Sequence, residues 1–192
     1  MKNITIILDA GHGKETPGKR SPDGTLLEWE FNRKLSNAIK KQCDELNIKC
    51  IQANIDESNP GLSARANNIN KIVRKESELG NQSLMISLHA NAASNSGWSN
   101  ASGWEVWTTC GTTNSDKFAK ILCEEFKKVF PNQKLRGHKE KNFTIIYKTA
   151  CPCVLTENFF YDNKKDLSLM LSQEGFDNIV KLHINAIKSW LK

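Results

Sequence analysis

The sequence predicts an α/β sandwich, a sheet with helices on both faces. Short apolar, β-branched runs alternate along the chain with longer segments whose apolar residues recur at helical spacing. Three of the apolar runs lead into residues that carry chemistry. Ile4–Leu8 leads through Asp9, Ala10 and Gly11 to His12, Leu84–Leu88 leads to His89, and Cys153–Thr156 leads to Glu157. Open α/β sheets bind ligands at the C-terminal ends of their strands. If these three strands are parallel neighbours, two imidazoles and a carboxylate meet at one sheet edge. No repeat, low-complexity tract or linker divides the 192 residues, so one domain over 1–192 is expected.

Composition narrows the class. Hydrophobic residues make up 39% and charged residues 25%, ordinary for a globular protein. The apolar runs fall far short of the ~20 residues of a membrane span. The N-terminal run is interrupted by Asp9 before any cleavage-like site, so no signal peptide is expected and synthesis in the cytoplasm is. A net charge of +6 favours polyanionic partners, whether nucleic acid, membrane or wall polymer, without choosing among them. The six cysteines include no C-x-x-C pair, so free and mostly buried thiols are expected.

The elements follow in order. His12 stands between Gly11 and Gly13, where the backbone can bend sharply and approach a ligand closely. Lys14–Thr25 is a polar loop with two turn signals, Pro17-Gly18 and Pro22-Asp23-Gly24. Phe31, Leu35, Ile39, Cys43 and Leu46 define the first helix, with Glu28 at its start and Asn47 at its stop. Ile48–Ala53 alternates as a strand, and Asn59-Pro60-Gly61 breaks the chain. Leu62, Ala66, Ile69, Ile72 and Val73 line a second helix ended by Gly80-Asn81. Beyond His89, Asn91–Gly103 reads as a surface loop with one aromatic, Trp98, a candidate substrate wall. Trp104–Thr109 alternates as a strand, and Ser115 is the expected cap of a third helix running to Phe130. Pro131–Asn142, with Lys134, Arg136, Lys139 and Lys141, reads as a basic loop, most simply a solvated face and more sharply a contact for the carboxylates of an anionic substrate, and Phe143–Tyr147 reads as a strand. A short helix near Asp166–Ser172 and a final amphipathic helix, Phe176–Leu191, complete the chain.

Two imidazoles and two carboxylates fit a metal-assisted hydrolase. A catalytic zinc keeps three protein ligands and one open position. His12 and His89 supply nitrogens; of Glu28 and Glu157, one completes the ligand set and the other acts as base, the order left open by the residues alone. Each has a plainer role to compete with it. Glu28 suits the first turn of any helix. Glu157 follows an apolar strand and risks burial, which a carboxylate tolerates only with a partner or metal. His138 and His183 read as loop and core-edge residues.

At these residues the sequence resembles the zinc-dependent N-acetylmuramoyl-L-alanine amidases of the type 3 family, over nearly its whole length. The segment LDAGHG resembles the first metal motif, LLEWEFNRKLSNAI the second, SLHANA the third, and CVLTENFFYDN the closing one. LSARANNIN resembles an Arg-x-x-x-Asn helix, matching Arg65 with Asn68 or Asn67, and RGHK an Arg-Gly segment. The resemblance implies a mixed, mostly parallel twisted sheet of about six strands with helices on both faces, like the phosphorylase/hydrolase fold. It implies Zn²⁺ on His12, Glu28 and His89, with Asn32 beside them and Glu157 catalytic. Arg136, Asn91 and Arg65 are the implied substrate contacts.

The implied reaction hydrolyses the amide between N-acetylmuramic acid and L-alanine, so the expected partner is peptidoglycan and not nucleic acid. The oligomeric expectation is a monomer. The loop KETPGKRSPDG departs from the family's usual Gly-Gly continuation, and no autoinhibitory helix is evident between Leu88 and Trp104. No wall-binding repeat follows Lys192, so a phage or prophage lysis enzyme, reaching the wall after release or export, is the expected biology. The competing expectations are a zinc exopeptidase of similar fold and a non-enzymatic wall-binding module.

Overall fold

The computed structural model describes residues 3–54, 60–94 and 97–192. Asn59 of the expected chain break, and Asn95 and Ser96 of the expected loop, lie outside them. Six strands form one sheet in the order β2-β1-β3-β6-β4-β5. They are β1 (Ile4–Ala10), β2 (Cys50–Asn54), β3 (Gln82–Asn91), β4 (Trp104–Thr108), β5 (Leu135–Glu140) and β6 (Cys153–Phe160). All neighbours are parallel except β4 and β6, so β4 and β5 run against the other four. The mixed, mostly parallel sheet expected from the sequence is the one observed.

Alternation along the strands divides the core. Ile6, Leu8, Ile86, Leu88, Val154 and Val106 face helices α1 (Glu28–Glu45), α3 (Asn114–Val129), α5 (Lys164–Leu171) and α6 (Gln173–Trp190). Ile7, Met85, Cys153 and Leu155 face the opposite layer, α2 (Leu62–Glu78) and the single turn α4 (Thr144–Tyr147). Both faces are covered, which is why the central strands read as continuous apolar runs. Asn47 closes α1 with a left-handed φ of 56°, as expected of a helix stop.

Three local expectations are corrected. Phe143–Tyr147 is not a strand: Tyr147 N–H donates to Phe143 O at 2.8 Å and Lys148 N–H to Thr144 O at 3.0 Å, helical spacing. That turn buries the adjacent Ile145 and Ile146 on one side, which a strand cannot do. The strand lies instead in the segment read as a basic loop. Leu135–Glu140 is the sheet edge, where Lys and Arg remain partly solvated and guard against pairing with other chains. The third helix is capped by Thr113, whose hydroxyl accepts from Ser115 N–H while Asp116 reaches back to the Thr113 N–H, a capping box. Ser115 Oγ instead accepts from Cys153 N–H at 3.0 Å, tying α3 to β6.

His138 lies on β5, with Nε2 2.6 Å from Thr108 Oγ1, and so is not a loop residue. His183 lies within the core rather than at its edge: it is fully buried, and its Nδ1–H donates to Ile179 O at 2.8 Å.

Candidate active site

Strand register brings the chemistry together. Leu88 of β3 pairs with Ala10 of β1, and His89 of β3 pairs with Glu157 of β6. The turn carrying His12 therefore lies beside His89, and Gly11 N–H donates to Leu88 O at 2.9 Å. β3 and β6 continue past these residues to Asn91 and Phe160, so His89 and Glu157 sit within strands rather than after them.

The His12 turn is built for close approach. His12 adopts φ 62°, in the left-handed region. Two residues of α1 hold it there: Asn32 Nδ2 donates to Gly11 O at 3.2 Å and Arg33 Nη1 to His12 O at 2.8 Å. The His12 and His89 rings meet edge to face, 5.0 Å apart.

Glu28, the first residue of α1, is buried between the two imidazoles. Its Oε1 lies 3.3 Å from His12 Nε2 and 3.2 Å from His89 Nδ1, and it accepts from Ala90 N–H at 3.2 Å. Burial alone would raise the Glu28 pKa, but the hydrogen bonds from His12 and His89 outweigh it and hold the carboxyl well below its usual range. Its Oε2 is buried with no hydrogen-bond partner. The three side chains offer ligand atoms all within 4.8 Å of one another. These three donors, one of them an orphaned carboxylate oxygen beside two imidazoles, could hold a transition-metal ion.

Glu157 is half-buried beside His89, and its Oε2 also lacks a partner. Burial, reinforced by the charges of Glu28 and Glu105, pushes its pKa well above the ordinary carboxylate value, while Lys19 opposes the shift. Glu105 of β4 stands directly across from it in the antiparallel pair.

Residues 6–189 match the family model of N-acetylmuramoyl-L-alanine amidase. The chain belongs to this amidase family. It is 25% identical over 186 residues to the N-acetylmuramoyl-L-alanine amidase CwlM of Bacillus licheniformis, covering 96% of this chain and 67% of that protein. It is 23% identical to the endolysin of Bacillus phage SPP1, covering 95% of this chain and 64% of that protein. The fold matches the crystal structure of N-acetylmuramoyl-L-alanine amidase from Clostridium difficile 630 with a TM-score of 0.85 at 20% identity, over 100% of this chain and 98% of that one.

The remaining expected site residues of the amidase divide. Asn91 Nδ2 donates to Glu105 Oε1 at 2.9 Å, and Arg136 Nε donates to Glu105 Oε2 at 2.6 Å, so both gather on the carboxylate facing Glu157. Arg65 is elsewhere. It is buried, and its Nη2 donates to both oxygens of Asp9 at 2.7 Å and to Ala10 O at 3.0 Å. Ser87 and Asn54 complete that network on Asp9 at 2.7 and 2.6 Å. Arg65 therefore braces the end of β1 from beneath the site. Asn67 and Asn68 are exposed on α2.

Sequence reasoning missed Asp9, Arg33 and Glu105, and gave Lys139 only as one cation of the basic loop with Arg136. Asp9 carried a signal, a carboxylate at the end of an apolar strand that must be paired if buried. Glu105 carried the same kind of signal between Trp104 and Val106.

Proposed function

We propose that this amidase is a zinc-dependent peptidoglycan hydrolase that cleaves the amide between N-acetylmuramic acid and L-alanine. The observation that carries the reading is the cluster of His12, Glu28 and His89, with an orphaned Glu28 oxygen, beside the unpaired carboxyl of Glu157. Three protein donors with a position left open is the catalytic pattern for zinc. Bound zinc supplies Lewis acidity, which polarises an amide carbonyl and acidifies water. The chain's own residues do the rest. Glu157 accepts a proton as a water oxygen attacks the carbonyl, then gives it to the alanine nitrogen as the C–N bond breaks. The products are a free lactyl carboxylate on muramic acid and a peptide with an alanine amine. Arg136 and Asn91, gathered on Glu105, form the wall beside Glu157.

The test is mass spectrometry of digested peptidoglycan with and without chelator. Muramic acid freed of peptide, formed only with metal present, is the expected result. A released amino acid would mean an exopeptidase instead. Binding to the wall without any cleavage would mean a binding module.

A cell-lysis role of the phage or prophage kind is the reading of its biology, supported by the likeness to the SPP1 endolysin over most of the chain. No helix among the described residues is long and apolar enough to cross a membrane. The protein would act on the wall after release or export. Lysis of intact cells on addition from outside, lost in the Glu157→Gln variant, is the expected behaviour.

A further inference from the structure

Glu105 is almost fully buried, at 3% exposure, and saturated with donors. Arg136 Nε and Lys139 Nζ each donate to Oε2 at 2.6 Å. Asn91 Nδ2 and Trp107 Nε1 donate to Oε1 at 2.9 and 3.1 Å. Two cations thus serve one carboxylate, and positive charge is left over. Donors are left over as well. A guanidinium carries five N–H groups and an ammonium three. Glu105 uses one of each, and Arg136 Nη1 gives another to Ser102 O at 3.4 Å.

Both side chains are held rigidly and remain accessible. The Arg136 guanidinium lies over the Phe160 ring, 4.9 Å from its centroid, and the Lys139 ammonium over Trp107 at 5.1 Å. They keep 27% and 32% of their side-chain surface open. A counter-ion shell for Glu105 alone needs only one cation. An oriented pair with spare donors, one strand from Glu157, is arranged to receive a second carboxylate. A guanidinium fork matches carboxylate geometry bidentately, and preorganisation lowers the entropic cost of binding.

We propose that Arg136 and Lys139, held in place by Glu105, form a subsite for a free carboxylate of the stem peptide just beyond the scissile amide. The inference rests on the amidase reading above, with Glu157 at the reacting bond. A glutamate that follows the alanine and continues the stem through its side chain leaves its α-carboxylate free, next to the bond being cut. The subsite therefore places the peptide, not the glycan, on the β4–β5 side of Glu157. Lys139 and Arg136 are specificity residues, and Glu105 is a positioning residue acting through them.

The test compares two synthetic muramoyl peptides, identical except that the α-carboxylate after alanine is free in one and a primary amide in the other. The zinc-loaded enzyme is expected to cleave the acid with kcat/KM about tenfold higher, chiefly through KM, the fold-change of one charge-assisted hydrogen bond. In Lys139→Met and Arg136→Gln that ratio should fall toward one, and in Lys139→Arg, which keeps the charge, it should persist. Equal use of both peptides by the wild type would overturn the subsite. So would variants that lose activity on both peptides in equal proportion, the result of a purely structural role. Cleavage of neither peptide by the wild type would overturn the amidase reading itself, and the subsite with it.

Discussion

Gly11 lies directly against the imidazole of His89: a Cβ at Gly11 would stand 2.3 Å from His89 Cε1 and 2.5 Å from Nδ1. Any side chain there displaces the ring that completes the cluster with His12 and Glu28. Backbone freedom is not the reason for this glycine. The reason is the space that a histidine on the neighbouring strand β3 needs.

Gly11→Ala should therefore fold and lose function. The ring has to move by more than an ångström, and misplacement on that scale costs about 10²-fold in rate. Zinc titration by calorimetry should show weakened binding in parallel. Normal zinc affinity with normal turnover would mean that His89 is not a ligand.

Glu157 and Glu28 should separate cleanly by substitution. Glu157→Gln keeps size and loses basicity, so zinc content should stay near wild type while turnover falls at least ~10²-fold. Glu28→Gln should lose zinc first. Elemental analysis of both purified variants decides it, and a Glu157→Gln protein without metal beside a Glu28→Gln protein with metal would exchange the two roles.

Stability should fall in two steps as pH drops. Burial pushes the His183 pKa down to about 4 from 6.5. The unfolded chain then takes up a proton that the folded one refuses, so stability is full above 6.5 and declines toward about 4, by about 3 kcal/mol. Glu76 adds the acid limb. Burial would raise its pKa, but hydrogen bonds from Lys49, Thr5 and Asn81 outweigh that and bring it to about 2 from 4.5. Its contribution is present above 4.5 and is lost as pH falls through about 2. Urea midpoints across the acid range should show both steps, and His183→Gln should flatten only the first. A wild-type profile without the first step would remove the neutral buried histidine.

The cysteines should prove dispensable for catalysis. Cys43, Cys50 and Cys153 are buried, and Cys110 is the exposed thiol. Burial pushes Cys151 and Cys153 up to about 12, out of the reactive range. Alkylation under native conditions should label Cys110 first and leave turnover near normal. Cys110 follows β4, which runs antiparallel to β6, and so lies at the sheet end opposite Glu157. Rapid inactivation with zinc still bound would require a catalytic thiol instead.

What the sequence alone determined is local. Apolar runs that lead to His12, His89 and Glu157 mark buried strands, because a strand buried on both faces must be apolar along its length; where β3 and β6 end, past His89 and Glu157, they did not show. Periodicity located the four longest helices through the stripe each must bury. It failed at two neighbouring segments. The apolar Phe143–Tyr147 stretch was too short for its period to distinguish a turn of helix from a strand. The edge strand Leu135–Glu140 hid behind lysine and arginine, since an edge buries too little to show alternation.

Only the tertiary structure decided which charges meet. Asp9 and Arg65 are 56 residues apart, and Glu105 and Lys139 are 34 apart. A carboxylate in the sequence shows that a partner is needed if it is buried, but not which cation answers it. Strand order makes that choice: β6 inserted between β3 and β4 puts Glu157 beside both His89 and Glu105, and β5 beside β4 delivers Arg136 and Lys139. Pairing between strands far apart in the chain is a property of the whole packed sheet, and no window of sequence contains it.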